Sequence, residues 1–232
     1  IQAPLSAADL KPYVLKWHLT RLFSNKNYQW SYEPALIKKT GKRLSEQIKN
    51  TEAADFIFSI GNAGCPLAHI KTNLPKVFWT DACFAGLHEF YSDYSNLCQN
   101  NIRQAQQFEQ DLLDCADAIV YSSEWAASTA ILNYKVNAEK VAVIPFASNL
   151  DVSLAPEEVN GVISKRSRKV CKLLFIGVDW KRKGGPLVLE IASALGKMNV
   201  STELHVIGRK DQNFNDSKTA IVYEGFLQKD NP

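Results

Sequence analysis

The sequence predicts an α/β protein with two Rossmann-like domains, each built on a parallel sheet. Short apolar runs alternate with amphipathic helical patterns over residues 55–148, which is the order typical of parallel sheets covered by helices. Residues 149–169 then become rich in Pro, Glu, Asn, Ser and basic side chains, which is the composition of an interdomain connection. A second alternation follows, so the predicted domains are residues 1–148 and 170–232.

The first predicted domain has two opening helices and then alternates strand and helix. The opening helices are marked by Leu10, Val14, Trp17 and Arg21, and by Ile37, Leu44 and Ile48 before Asn50. Strands are predicted at residues 55–60, 76–80, 118–121 and 141–144. The intervening helices carry Ile102, Ala105, Phe108, Leu112 and Ala116 on one face, or begin at Ser122 or Ser123. We expect helices on both faces of the sheet and ligands at the carboxyl ends of the strands.

The second predicted domain contains three strands and one helix. The strands are residues 170–177, 203–208 and 220–223, and the helix runs from Gly185 to Leu195 with Val188, Ile191, Ala192 and Leu195 facing inward. Three strands and one helix are too few to complete a Rossmann-type domain. We therefore expect this domain to be cut short, and the first domain to lack its opening strand.

Composition excludes several classes of function. The net charge of +3 is too small to indicate a nucleic-acid partner. Five widely spaced cysteines without a CxxC pair indicate neither a disulfide framework nor a zinc site, which favours the cytoplasm. No apolar run is long enough to span a bilayer, so any membrane contact is expected to be peripheral, on the inner face.

The most informative stretch is LLFIGVDWKRKGGPLVLE, residues 173–190, where an apolar strand enters a basic turn and leaves as an amphipathic helix. Gly184 and Gly185 allow close backbone approach, and Arg182 and Lys183 supply positive charge. Free backbone amides and the positive end of the helix dipole are expected to face the turn, which is phosphate-binding geometry. The alternative is an ordinary solvated basic turn. Neither a Walker loop nor a GxGxxG motif is present.

The string FIGVDWKRKGG, with the helix and strand ELHVIG that follow it, resembles the donor-site signature of the group 1 retaining glycosyltransferases. Residues 121–151 and the tail AIVYEGFLQKDNP resemble further segments of that family in the same order. The resemblance implies that Lys183 and Arg182 bind the donor pyrophosphate, together with Gly177, Asp179 and Gly184. Many family members place the arginine directly after the first glycine, where this sequence has Val178.

The resemblance also implies a GT-B fold, in which two Rossmann-like domains face a cleft. The implied reaction moves a sugar, with retention of configuration, from a UDP- or GDP-linked donor to a glycan, lipid or small-molecule acceptor bound by the first domain. No metal and no other cofactor is expected, since cations at a helix N-terminus meet the leaving-group charge. The family's glutamate pair has no counterpart after Gly225, so we expect this chain alone to be inactive.

Asp81 follows the strand KVFWT directly, and we expect it either to act in catalysis from the first domain or to cap the next helix. Many family members have a histidine near this position. Ser59, Gly61 and Asn62 line the acceptor side or form an ordinary turn. His88 and Glu89 are predicted at the surface and His205 in the core, while Trp180 adjoins the presumed donor site.

Two rival functions remain at the level of the sequence. The first is another nucleotide-sugar or sugar-phosphate enzyme of the same fold, such as an epimerase or a phosphorylase. The second is a basic RNA-binding module that uses Lys165, Arg166, Arg168, Lys169 and residues 181–183. The absence of interleaved aromatic and basic residues argues against RNA binding.

Overall fold

The computed structural model describes residues 5–51, 54–61, 66–147, 155–167, 169–208 and 220–227. The chain divides into two compact units, Ile1–Ser148 and Asn149–Pro232. Each unit contains one parallel sheet. None of the helices in these ranges is both long and apolar enough to cross a membrane.

The first unit has five α-helices and four strands among its described residues. In chain order they are α1 (Ala7–Ser24), α2 (Pro34–Lys49), β1 (Ile57–Ile60), β2 (Lys76–Thr80), α3 (Phe84–Leu87), α4 (Gln99–Cys115), β3 (Ala118–Tyr121), α5 (Glu124–Asn133) and β4 (Val141–Val143). Ser123 caps α5, because its side-chain oxygen accepts the Ala126 amide at 3.3 Å. Asn50 ends α2, as predicted.

The first sheet has the strand order β1-β2-β3-β4, and every pairing is parallel. Parallel strands joined in sequence order by right-handed crossovers place their connecting helices on the same face. Helices α4 and α5 accordingly share one core with residues such as Phe78, Ile119 and Tyr121, and α2, which precedes β1, packs into the same core. The opposite face carries half-exposed Phe58 and Phe146 on either side of Trp79. The prediction of helices on both faces is therefore wrong for the part of the chain that the structure describes.

The second unit contains α6 (Pro156–Ser164), β5 (Cys171–Gly177), α7 (Gly185–Lys197), β6 (Thr202–Gly208) and β7 (Ala220–Gly225). Helix α6 lies within the stretch expected to be an irregular connection. Its Pro156 occupies the first turn, where a missing amide costs nothing, and Glu158 accepts the Ala155 amide at 2.8 Å. These contacts cap the start of a helix that was not predicted from the sequence.

The second sheet has the order β5-β6-β7, with Leu173 opposite Leu204 and Gly177 opposite Gly208. Its small core contains Phe175, Leu204 and Val206, against which Val188 and Leu189 of α7 pack. Ala192 of α7 is buried as predicted, but Ile191 is 43% exposed. Leu189 packs on the core instead of Ile191, so the buried face of α7 is rotated relative to the predicted one.

Candidate functional site

The basic turn between β5 and α7 is organised by its own backbone. Asp179 Oδ1 accepts the Arg182 amide at 3.0 Å, and the Asp179 carbonyl accepts the Lys183 amide at 3.0 Å. The Gly184 amide donates to the Lys181 carbonyl at 3.3 Å, and the Gly185 amide donates to the Trp180 carbonyl at 2.8 Å. These four amides are thus occupied. The prediction of free amides facing a phosphate is wrong for them, because a tight turn satisfies its own donors.

The side chains of the turn differ in how they are held. Arg182 pairs with Asp179, with 3.4 Å between Nε and Oδ2, and about half of each side chain is exposed. Lys183 is exposed, and its stem passes over the end of β5. An added Cβ at Gly177 would lie only 3.1 Å from the Cβ and Cγ atoms of Lys183. Gly177 therefore leaves the space that the Lys183 stem occupies.

The three strands of the second sheet all end in glycine, at Gly177, Gly208 and Gly225. Gly208 has a φ of 122°, and a Cβ there would lie 2.2 Å from the Gly177 carbonyl oxygen, so only glycine fits. The Tyr223 hydroxyl donates to the Gly208 carbonyl. The glycines at the carboxyl edge of this sheet therefore let the ends of β5 and β6 approach each other, and leave room for the Lys183 stem beside Gly177.

Trp180 joins the turn to the core. Its ring centroid lies 4.7 Å from that of Phe175. An added Cβ at Gly185 would lie 2.0 Å from Trp180 Cδ2, so the first residue of α7 has to be glycine for the indole to pack there. Gly184 before it has a φ of 83°, which favours glycine. The sequence predicted that both glycines let a ligand come close to the backbone, whereas the structure shows that Gly185 makes room for Trp180.

The turn carries a local excess of positive charge. Lys181, Arg182 and Lys183 are exposed beside the N-terminus of α7, whose first turn contains no acidic residue. Asp179 is the acidic residue of the turn, and it is paired with Arg182. The helix dipole adds to this field, so the arrangement attracts an anion such as a diphosphate. The structure brings together Gly177, Asp179, Arg182, Lys183 and Gly184 as predicted from their sequence order; their binding roles stay predictions.

Asp81 belongs to the first unit, where it lies exposed directly after β2. The alternative that it caps the next helix is wrong, because the N-cap of α3 is Cys83. The first amide of α3, that of Phe84, instead donates to Glu109 Oε2 at 3.3 Å. Asp81 is therefore not needed to begin α3, and its catalytic role stays a prediction.

Glu109 is a buried carboxyl group that sequence reasoning missed. It has no exposed surface, and burial raises its pKa to about 7. Burial likewise raises the pKa of the Cys83 thiol to about 11. The sequence does contain a signal for it, because Glu109 lies one turn from both Ala105 and Leu112 and so falls on the apolar face of the helix. Through Phe84 it holds the segment that follows Asp81.

The other candidate residues of the first unit contribute little. Ser59 is half-buried in β1. Gly61 has a φ of 84°, and its amide continues the β1–β2 pairing by donating to the Trp79 carbonyl. Asn62 lies outside the described residues. His88 was predicted at the surface, but its side chain is 29% exposed because the ring packs against Phe84.

His205 was predicted to be a satisfied core residue; its ring is paired with a carboxylate, but it lies outside the core of the second sheet. It lies half-buried on the face of the second sheet opposite α7, because β6 alternates it with the buried Leu204 and Val206. Its Nδ1 atom is 2.6 Å from Glu224 Oε1. Its Nε2 atom lies 3.6 Å from Glu203 Oε2, which is too far for a hydrogen bond. In those ranges no group of three His, Cys, Asp or Glu side chains is arranged to hold a metal ion.

No protein-family model and no curated protein sequence matches the chain. Among solved structures, the fold is similar to that of TarM, with a TM-score of 0.50 and 13% identity over 84% of this chain and 36% of the TarM chain. A glycine-to-arginine mutant of S. aureus TarM, in complex with fondaparinux, alpha-GlcNAc-glycerol and UDP, gives a TM-score of 0.49 and 15% identity over 83% of this chain and 36% of the other. The first likeness confirms the predicted α/β, parallel-sheet fold of GT-B type. The chain spans about a third of the TarM length.

Proposed function

We propose that this chain is the donor-phosphate-binding part of a nucleotide-sugar glycosyltransferase. The observation that carries the proposal is the turn of residues 178–184, where three exposed cationic side chains lie at the N-terminus of α7 beside a sheet edge of glycines. A diphosphate is the anion that fits this setting, since it needs several positive groups and close backbone approach. The GT-B type fold supports the same class of reaction, although a fold alone does not fix chemistry.

Lys183 is the proposed principal contact. The Cβ and Cγ atoms of its stem lie beside Gly177 at the end of β5, and we propose that its ammonium group reaches the diphosphate from there. Arg182 is proposed as the second contact, and it reaches a diphosphate by exchanging its bond with Asp179 for one with the ligand. Asp179 then has two roles, since its side chain also holds the Arg182 amide and so keeps the turn in place.

The proposed reaction breaks the bond between the anomeric carbon of the donor sugar and a diphosphate oxygen, and joins that carbon to an acceptor hydroxyl. The bonding electron pair leaves with the diphosphate, which takes up the proton released by the acceptor hydroxyl, and fixed cations stabilise the developing negative charge. Because Lys183 and Arg182 supply that charge, we propose that the transfer needs no metal. We also propose that the transfer retains configuration, that the donor is UDP- or GDP-linked and that Asp81 acts at the sugar. The proposed acceptor is a glycan, a lipid or a small molecule.

The experiment is a calorimetric titration of the chain with UDP and with GDP, on the wild type and on Lys183→Ala. A charged hydrogen bond contributes about 1.5–3 kcal/mol, so the variant should bind the diphosphate roughly ten to more than a hundred times more weakly. Lys197→Ala is the matched control, because it removes the same charge from the last turn of α7. Equal affinity of wild type and Lys183→Ala, or an equal loss in Lys197→Ala, would reject the site.

A further inference from the structure

Asp81 is an exposed residue set between buried ones. Among residues 80–84 it alone is exposed. The other four are almost completely buried, and they are Thr80, Ala82, Cys83 and Phe84. Buried side chains are close-packed and move little, so a single residue between them has little freedom to change its direction. The position of the Asp81 carboxylate therefore depends on how its neighbours are fixed.

Two side-chain contacts fix these neighbours. The Thr80 hydroxyl donates to the Ala82 carbonyl at 3.1 Å, which closes the chain around Asp81. Glu109 Oε2 accepts the Phe84 amide at 3.3 Å, which holds the far end of the segment. Thr80 and Glu109 are both buried, so water does not replace either contact once it is lost.

Helix α3 does not cap its own start. Its N-cap residue, Cys83, makes no side-chain hydrogen bond to the amides of the first turn. The first amides of a helix have no partner inside the helix, and a side-chain oxygen from the N-cap residue usually accepts one of them. For α3 the accepting oxygen comes from Glu109 of α4. The start of α3 is thus fixed by a neighbouring helix.

The carboxyl group of Glu109 serves this contact and not the packing of the core. A carboxyl group in the core is unfavourable unless partners compensate for its lost hydration. Among the described residues, the Phe84 amide donates to Oε2, and Oε1 accepts no hydrogen bond. An apolar side chain of similar size would suit the surrounding core better. What the carboxyl group contributes is its hold on Phe84.

We propose that Glu109 is a positioning residue for Asp81. Its oxygen fixes the Phe84 amide, the fixed amide sets where α3 begins, and the start of α3 sets how the chain leaves β2 at Asp81. The chemistry of Asp81 at the sugar rests on the proposed function. The anchor that holds Asp81 in place does not depend on it.

The experiment is amide NMR and hydrogen exchange of the ¹⁵N-labelled chain, with Glu109→Gln and Glu109→Met. Glutamine keeps an oxygen that accepts the Phe84 amide, whereas methionine has a similar length and no such acceptor. In Glu109→Met the Phe84 amide should exchange at least about tenfold faster, and the Asp81 amide signal should move. In Glu109→Gln both should stay close to the wild type.

Two controls separate a local effect from a general one. The Ala127 amide, which donates to the Ser123 carbonyl at 3.1 Å in α5, should exchange equally slowly in all variants. Asp114→Asn removes a carboxylate from the exposed side of α4 and should change neither Phe84 nor Asp81. If Glu109→Met does not fold, Glu109→Asp takes its place, because the shorter side chain withdraws the oxygen from Phe84 and keeps the carboxyl group.

The proposal is overturned if Phe84 exchanges at the wild-type rate in Glu109→Met. An equal rise at Phe84 and Ala127 would also overturn it, since Glu109 would then support the whole unit. So would an Asp81 signal that stays in place when the Phe84 amide is released. A failed titration with UDP and GDP would instead reject the donor site in the second unit, which none of these variants alters.

Discussion

Substituting Gly185 by alanine tests how the basic turn is held in place. The new Cβ would lie 2.0 Å from Trp180 Cδ2 and 2.2 Å from Cε2, far inside contact distance. The indole must shift, and it then loses part of its packing on Phe175. Overpacking of this kind costs about 1–3 kcal/mol, and the first position of a helix recovers little of it through alanine's helix propensity.

Gly196→Ala in the same helix is the matched control, because a Cβ at Gly196 meets no atom within 4 Å. Alanine should stabilise that position by about 0.5–1 kcal/mol. The two variants should therefore differ by roughly 1.5–4 kcal/mol in the free energy of unfolding. Urea denaturation followed by circular dichroism measures the difference, with the slope checked for equality. If Gly185→Ala proves as stable as Gly196→Ala, the packing of Trp180 over the turn is refuted.

Two further predictions concern the first unit. Burial raises the pKa of Glu109 from 4.5 to about 7, so the folded protein binds this proton more tightly than the unfolded chain does. The contribution of Glu109 to the free energy of unfolding is fully present below pH 4.5, and it falls by about 3 kcal/mol as the pH rises through 7. Glu109→Gln should remove that slope in urea melts from pH 4 to pH 8, and parallel curves for the two proteins would contradict the assignment. Ser123→Ala should lose about 1 kcal/mol through its cap of α5, and an unchanged thermal midpoint would contradict that.

Hydrophobic periodicity predicted most of the elements, because each amphipathic pattern reports one buried face. The strand at Lys76–Thr80 and the helix ended by Asn50 were confirmed at the predicted residues. Periodicity cannot report strand order, and so the single helical face of the first sheet was missed. Sequence reasoning also missed α6, whose Val159, Val162 and Ile163 recur at helical spacing within a stretch otherwise rich in polar residues.

The candidate site was predicted in composition but not in detail. The charged residues and glycines of the turn were identified, since a basic segment between strand and helix is visible in the sequence. Asp179, Lys181 and Trp180 accept hydrogen bonds from the amides of the turn. These bonds depend on backbone geometry that no residue pattern specifies. The buried contact between Glu109 and Phe84 joins residues of two helices, and a single sequence does not reveal which helices touch.

The central claim is that the turn between β5 and α7 binds the diphosphate of a nucleotide-sugar donor. The most direct measurement is a titration of the ¹⁵N-labelled chain with UDP or GDP, followed by amide chemical shifts. The account predicts that the largest shifts occur at residues 177–184 and at Gly208 on the neighbouring strand end. If no shifts occur at those residues, or if shifts are confined to residues of the first unit, the proposed diphosphate site is contradicted.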